Sequence, residues 1–311
     1  MHRMRGTWRL LYINAVLAVI TLMSMSHPGW AGTRRLPFVK GYACYYGQPR
    51  IPELSRFALV IIEPGQYTAA QVDQIKKAGT IVIGYLSLGE ILETPKGTFP
   101  KPAQGAPRHL AIAPYYLDRD GDGQPDRNGS WNSLYVDARS PEWQKRVLTD
   151  LAPKVLAGKH CDGLFFDTLD TVDVYPETKP GMIDLIKKLR AAYPKAPFIA
   201  NRGFEILEGT VPVIDALLFE AFTTRYAPET NRSELFSQSD LEWVDGIVTR
   251  IKTAGGADPI QILVLDYADP RNPAVKAAAI ARAKKAGLTY SISTGSLDKL
   301  PIEGGSGTPG R

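Results

Sequence analysis

The hydrophobic residues of this chain form short continuous runs, separated by segments in which apolar residues recur with a helical period. Eight runs predict strands over residues 39–46, 57–63, 81–90, 163–170, 198–202, 216–222, 261–267 and 288–294. Continuous runs such as Leu59-Val60-Ile61-Ile62 are typical of parallel strands that are buried on both faces.

Helices are predicted between most of these strands, over residues 69–78, 140–159, 182–193, 240–253 and 272–286. Ser140-Pro141-Glu142 has the order of an N-cap, a first-turn proline and a first-turn acid, and Gly287 follows the last helix. Eight strands alternating with helices predict an α/β fold, a single-domain (β/α)8 TIM barrel. An open doubly wound sheet is the alternative, but Gly47-Gln48-Pro49 after the first strand is not a dinucleotide-binding turn.

The amino-terminal segment has the features of a secretory signal peptide. Arg3, Arg5 and Arg9 precede an apolar run over residues 10–23, and small residues lead to Ala31. A run of about 14 residues is shorter than the ~20 that a membrane-spanning helix needs. We therefore expect cleavage near Ala31, a secreted or periplasmic protein without a membrane partner, a barrel over residues 32–303 and a flexible tail over residues 304–311.

Charge and composition narrow the function further. The chain has 311 residues, 44% of them hydrophobic and 22% charged, which is an ordinary balance for a globular protein. Its formal charge of +5 is largely that of the signal segment, which holds three arginines and no acid. The charge therefore gives no reason to expect a nucleic-acid partner. His109 and His160 lack the spacing of a zinc site, so we expect no cofactor for catalysis.

In a TIM barrel, catalytic residues lie at the carboxyl ends of the strands. The predicted ends carry acids, tyrosines and one arginine: Tyr45, Tyr46, Glu63, Tyr85, Glu90, Asp167, Asp170, Arg202, Glu220, Asp266, Tyr267 and Asp269. Carboxylates beside aromatic rings favour glycosidic bond cleavage, which needs one carboxyl group as acid and a second as nucleophile or base. Asp167 and Glu220 end strongly apolar strands, where an unused charge would be costly. Glu63 and Asp269 precede prolines and also fit turns.

Six motifs occur together and in a fixed order. They are Tyr42-Ala43-Cys44-Tyr45-Tyr46-Gly47, Gly84-Tyr85-Leu86-Ser87-Leu88-Gly89-Glu90, Trp131-Asn132-Ser133, Gly163-Leu164-Phe165-Phe166-Asp167-Thr168-Leu169-Asp170, Asn201-Arg202-Gly203-Phe204-Glu205 and Leu265-Asp266-Tyr267. In combination they resemble the endo-α-1,4-polygalactosaminidases of glycoside hydrolase family 114, and most closely the related PelA-type hydrolase domains of family 166. The resemblance covers residues 39–295.

This resemblance implies a (β/α)8 fold and cleavage within a galactosamine or N-acetylgalactosamine polysaccharide. It implies that Asp167 and Glu220 are catalytic, and that Asn201, Arg202 and Asp266 line the substrate groove. Our hypothesis is a retaining mechanism with Asp167 as nucleophile and Glu220 as acid/base. A glycosidase of the same fold that acts on another polysaccharide, and a sugar-binding barrel without activity, are the alternatives.

The long segment between the third and fourth strands contains an acidic loop. Asp118, Asp120, Asp122 and Asp126 stand at positions 1, 3, 5 and 9 of a calcium-loop spacing, with glycine at position 6. Position 12 is Gly129, not the glutamate of an EF-hand. A structural calcium ion and a solvated acidic turn are therefore both open, and the calcium would have no catalytic role.

Overall fold

The computed structural model of the protein describes residues 35–92, 113–227, 230 and 232–304. The predicted signal segment and nearly all of the predicted tail lie outside these residues. No helix within the described part of the chain combines the length and apolar character needed to cross a membrane.

The strands, numbered in chain order, are β1 (Tyr42–Tyr45), β2 (Leu59–Ile62), β3 (Ile81–Ser87), β4 (Glu90–Leu92), β5 (Arg127–Asn128), β6 (Ser133–Tyr135), β7 (Gly163–Asp167), β8 (Phe198–Asn201), β9 (Ala216–Glu220), β10 (Thr224–Ala227), β11 (Arg232–Leu235), β12 (Gln261–Tyr267), β13 (Thr289–Ser293) and β14 (Glu303–Gly304). The α-helices are α1 (Ile51–Leu54), α2 (Ala69–Lys76), α3 (Pro141–Arg146), α4 (Thr171–Val174), α5 (Lys179–Ala192), α6 (Leu207–Thr210), α7 (Gln238–Gly255) and α8 (Pro273–Lys285). All eight predicted strands and all five predicted helical regions are present.

Eight strands form one parallel sheet in the order β1, β2, β3, β7, β8, β9, β12 and β13, and β14 pairs antiparallel with the last of them. The open seam between β1 and β13 is bridged by side chains. Gln261 Nε2 and Thr289 Oγ1 both donate to the carbonyl oxygen of Val39, over 2.6 and 3.0 Å. The sheet therefore nearly closes into a barrel, which confirms the predicted (β/α)8 fold.

Side chains of the barrel strands alternate between two apolar layers, as the period of a strand requires. One buried layer lines the barrel interior and contains Tyr42, Cys44, Leu59, Ile61, Ile83, Phe165, Ile199, Leu218, Leu263 and Leu265. The intervening residues, such as Val60 and Leu164, pack outward with Val72 of α2 and Leu185 of α5. Helices thus cover the outside of the sheet, and the position of a residue along its strand decides which layer it enters.

Three features go beyond the prediction. A small antiparallel sheet in the order β4, β6, β5 follows the third barrel strand, and β10 and β11 form a hairpin after β9. The helix predicted over residues 140–159 starts as α3 with Ser140 as N-cap, then continues as two π-helical segments, Val147–Leu151 and Lys154–Gly158. Pro153 lies between these segments, and its missing N–H interrupts the regular α-helical hydrogen bonds.

Candidate active site

Four neighbouring barrel strands end on polar side chains that enter the barrel interior. Asp167, Asn201, Glu220 and Tyr267 are the last residues of β7, β8, β9 and β12. The residue two positions before each of them belongs to the interior layer, so strand alternation turns all four inward. The sequence thereby brings together, at one end of the barrel, groups that are up to 100 residues apart.

Asn201 links the two central carboxylates. Its Nδ2 lies 2.8 Å from Oδ1 of Asp167 and 2.7 Å from Oε2 of Glu220 and donates to both. Because one nitrogen contacts both oxygens, these oxygens lie closer together than about 5.5 Å. Two facing carboxylates at this spacing are suited to acid and nucleophile roles on one glycosidic bond.

Tyrosines supply further hydrogen bonds to the two carboxylates. The Tyr267 hydroxyl donates to Oε1 of Glu220, and the Tyr85 hydroxyl bonds the Asp167 carboxylate. Tyr46 packs edge-on against Tyr85, with ring centroids 5.5 Å apart. These three predicted substrate-binding tyrosines therefore do lie around the candidate catalytic pair.

The two carboxyl groups hold their protons to higher pH than ordinary acids. Burial is the main cause of the raised pKa of Glu220, and the nearby charge of Asp167 raises it further. Burial also raises the pKa of Asp167, against hydrogen bonds from Asn201, Thr168 and Tyr85 that favour its charged form. Both carboxyl groups thus have a raised pKa and hydrogen-bond donors, so the pair can hold one proton while its other member is charged, as a general acid and a nucleophile need.

The loop after β7 is held by a residue that the sequence did not single out. Thr168 has a φ of 59°, and its hydroxyl accepts from Gly89 N and donates to the Asp167 carbonyl, over 2.8 and 2.6 Å. A Cβ on Gly89 would lie 2.3 Å from the Thr168 carbonyl oxygen, so only glycine fits there. The partners are 79 residues apart, and no local sequence pattern connects them.

Arg202 and Asp170 lie at the rim of the site. The Arg202 side chain donates through Nη1 to the Glu220 carbonyl over 2.8 Å, and its Nε lies 3.4 Å from Oδ2 of Asp170. Arg202 has a φ of 54°, which turns its backbone sharply directly after β8. The guanidinium thus ties the ends of β8 and β9 to the loop after β7.

Two residues predicted to bind substrate face away from the interior, because they lie one position out of phase along their strands. Tyr45 packs in the layer between sheet and helices, and its hydroxyl donates to the Gln48 carbonyl over 2.7 Å. Oδ1 of Asp266 accepts from the backbone N–H groups of Phe222, Thr223 and Thr224, over 2.7–3.0 Å. Asp266 therefore fixes the chain just after Glu220 and does not face the groove.

The remaining predicted acids have their own partners. The Glu63 carboxylate accepts from Gly65 N over 3.0 Å at the turn after β2, and burial raises its pKa. Glu90 is only 6% exposed in β4 and accepts from Asn128 Nδ2 and Ser133 Oγ, with a pKa that burial raises. Neither shares a hydrogen bond with the Asp167–Glu220 pair in the described structure.

The structure brings together three of the four acidic residues that were predicted to bind calcium. Carboxylate oxygens of Asp118, Asp120 and Asp122 lie within 4.8 Å of one another, and all three residues are exposed. Asp126 is separate from them, because its Oδ2 accepts from Arg119 N and from the Tyr175 hydroxyl, over 2.8 and 2.6 Å. Three of the four predicted ligands could thus hold one ion.

Comparison with known proteins identifies the family. The family model of Glycoside-hydrolase family GH114 matches residues 27–303, which is most of the chain. This protein belongs to glycoside-hydrolase family GH114. This GH114 chain is 28% identical over 273 residues to an uncharacterized protein of Deinococcus radiodurans. The match covers 82% of this chain and 79% of the relative. A protein of Methanocaldococcus jannaschii is 27% identical over 136 residues, which are 40% of this chain but only 33% of the relative.

Solved structures share the fold of this GH114 protein. The glycoside hydrolase domain of PelA from Pseudomonas aeruginosa superposes with a TM-score of 0.69 at 24% identity, covering 85% of this chain and 98% of that domain. Aspergillus fumigatus Ega3, solved in complex with galactosamine, gives a TM-score of 0.57 at 13% identity and covers 86% and 98%. An α-galactosidase from Thermus thermophilus gives a TM-score of 0.52 at 16% identity, covering 85% and 63%.

Proposed function

We propose that this protein is an endo-acting hydrolase that cleaves α-1,4-linked galactosamine or N-acetylgalactosamine polysaccharide with retention of configuration. Asp167 is the nucleophile and Glu220 the acid/base. The observation that carries the proposal is the Asn201 bridge, which keeps Oδ1 of Asp167 and Oε2 of Glu220 closer together than about 5.5 Å. Retaining glycosidases hold their carboxyl groups about 5–5.5 Å apart, whereas inverting ones need about 6.5–9.5 Å.

The reaction proceeds in two displacements. Asp167 attacks the anomeric carbon while Glu220 gives its proton to the departing glycosidic oxygen, so that the C–O bond breaks as the glycosyl-enzyme bond forms. Glu220 then takes a proton from water, which attacks the same carbon and releases Asp167. The raised pKa of Glu220 favours the protonated starting state, and the donors around Asp167 favour its charged form against the burial that raises its pKa.

The charge of the site supports a substrate that carries amino groups. The carboxylates of Asp167, Glu220 and Asp170 lie at the mouth of the barrel, where Arg202 Nε is 3.4 Å from Oδ2 of Asp170. Sugar ammonium groups would be attracted to such a surface and would form charge-assisted hydrogen bonds with it. Ega3, which shares the fold, was solved with galactosamine bound.

Export fits such a substrate, because polymers of this kind lie outside the cytoplasm. We infer secretion or a periplasmic location from the predicted signal segment, and an action on exopolysaccharide of the kind found in biofilms. Cell fractionation, with the amino-terminal sequence of the mature protein, tests this: a cytoplasmic protein that still carries residues 1–31 would refute it.

The substrate is tested by incubating the protein with purified α-1,4-linked galactosamine polymer. Mass spectrometry should detect oligosaccharides of mixed length, as expected for internal cleavage. Proton NMR during the first turnovers should show α-anomeric new ends. Intact polymer would refute the substrate, and β-anomeric first products would refute retention.

A further inference from the structure

A second cleft adjoins the candidate active site and is not used by the proposed mechanism. It has a volume of about 340 Å³ and lies between the β10–β11 hairpin, the loop after β12 and the loop after β13. Tyr226 forms its boundary with the catalytic centre: its ring centroid lies 5.9 Å from that of Tyr267, whose hydroxyl contacts Glu220. A polymer chain that passes the catalytic pair on this side would enter the cleft.

The aromatic wall of this cleft is held in place by a glycine. A Cβ on Gly295 would lie 2.3 Å from the Tyr226 ring, so the ring packs directly on the glycine backbone. Tyr226 is half-buried, and Ala268 adds a second apolar surface to the lining. Apolar and aromatic walls of this kind suit the face of a sugar ring or the methyl group of an acetamide.

The charges of the cleft differ from those of the catalytic centre. Asp269 is the carboxylate in its lining, and Arg271 already binds both of its oxygens, with Nη2 2.7 Å from Oδ2. Lys299 also lines the cleft and forms no ion pair within the described part of the chain. The nearby Asp298 is outside the lining and accepts the Ser296 hydroxyl. A sugar ammonium would therefore meet a cation here and find no free carboxylate in the lining.

Neutral hydrogen-bond donors complete the lining. Ser233 and Thr294 present hydroxyl groups, and Thr294 Oγ1 is buried without a partner among the described residues. A buried polar atom is costly unless a ligand or water satisfies it. An acetamide carbonyl can accept from Lys299 or the Ser233 hydroxyl, while its methyl group packs against Tyr226.

We propose that this cleft is a subsite that selects an N-acetylated sugar unit beside the cleavage point. The proposal rests on the proposed function and adds the preferred substitution pattern: free amines at the acidic centre and an acetamide in the cleft. The enzyme would then cut partly acetylated chains at positions set by the acetylation pattern, rather than at random.

The test uses a partly acetylated α-1,4-galactosamine polymer of known mean acetylation. Products of the full chain are sequenced by tandem mass spectrometry, and acetylation is scored at each unit flanking the cut. On one side of the cut, the ratio of acetylated to free units at one position should be about tenfold higher than random cleavage gives, as expected for one charge-assisted hydrogen bond. The side that shows the enrichment locates the cleft relative to the cut.

Lys299→Glu should abolish this enrichment, because the new carboxylate attracts an ammonium instead. Lys284→Glu makes the same charge change on an exposed residue in the last turn of α8, at the opposite end of the barrel, and should leave the pattern unchanged. Melting temperatures of both variants should match the wild type. Cleavage with no enrichment, or enrichment that survives Lys299→Glu, overturns the subsite alone. A wild-type protein that cleaves no such polymer overturns the proposed function as well.

Discussion

Tyr267 donates its phenolic hydrogen to Oε1 of Glu220, the carboxyl oxygen that Asn201 does not contact. This bond lowers the pKa of Glu220, against burial and the charge of Asp167, which raise it. The neighbouring tyrosine thus tunes the acid as well as contributing to the mouth of the site.

Removing that hydroxyl should move the pH profile. In Tyr267→Phe the charged form of Glu220 loses a donor, so its pKa rises and it stays protonated to higher pH. We expect the alkaline limb of kcat/KM to move to higher pH, together with a lower maximal rate. Tyr193→Phe, whose hydroxyl bonds the Leu148 carbonyl far from the site, is the control. An alkaline limb that stays in place or moves to lower pH would contradict this.

The catalytic pair should reduce the stability of the fold at neutral pH. Both carboxyl groups have pKa values in the folded protein that lie above their usual ones. The free energy of unfolding therefore falls as the pH rises from their usual pKa values through the raised ones, because the folded state resists ionisation. The double variant Asp167→Asn, Glu220→Gln should melt higher than wild type at pH 7. Its advantage should shrink below pH ~4, where the unfolded chain is protonated too. If the double variant and the wild type differed equally in melting temperature at pH 7 and below pH ~4, the pKa values would not be raised.

A buried ion pair should be far more important for stability than any surface pair. Arg190 and Asp215 are both fully buried, with Nη2 2.6 Å from Oδ2. Asp215→Asn removes the negative charge of this buried pair, so we expect a loss of about 3–5 kcal/mol in unfolding free energy. Asp150→Asn breaks the exposed pair with Lys154 and should cost less than about 1 kcal/mol. Chemical denaturation measures both, and similar losses would refute the contrast.

Calcium binding by the acidic loop is still a prediction. If the loop clamps an ion, calcium should raise the melting temperature by roughly 2–5 °C, and a chelator should reverse this without changing kcat. Asp120→Asn combined with Asp122→Asn should abolish the rise, whereas Asp150→Asn should keep it. No calorimetric binding and no rise in the wild type would leave the loop as a solvated turn.

The barrel could be predicted from sequence because its strands are buried on both faces. Each strand is a continuous apolar run in the sequence, and capping residues mark where several of the helices between them begin and end. The strands that were missed are short and polar: β11 is Arg232–Leu235 and mostly exposed, and β5 has only two residues. No apolar pattern marks them, because they pair at the rim and not in the core.

The same continuous burial explains why the sequence did not show that Tyr45 and Asp266 point away from the barrel interior. Where both faces of a strand are apolar, no alternation shows which residues point inward. Asp266 and Tyr267 are therefore equivalent in the sequence pattern, as are Tyr45 and Tyr46, although Asp266 and Tyr45 point away from the barrel interior. The role of Thr168 depends on Gly89, 79 residues earlier, and no local signal could give it.

The central claim is that Glu220 donates the proton that breaks the glycosidic bond. The most direct measurement is the rate of galactosamine-polymer cleavage by Glu220→Gln, with a change at the exposed Glu242 of α7, Glu242→Gln, as control. The amide keeps the shape but cannot donate that proton, so the rate should fall roughly 10²–10⁴-fold while the control keeps the wild-type rate. A Glu220→Gln variant that cleaves at the wild-type rate would contradict the assignment.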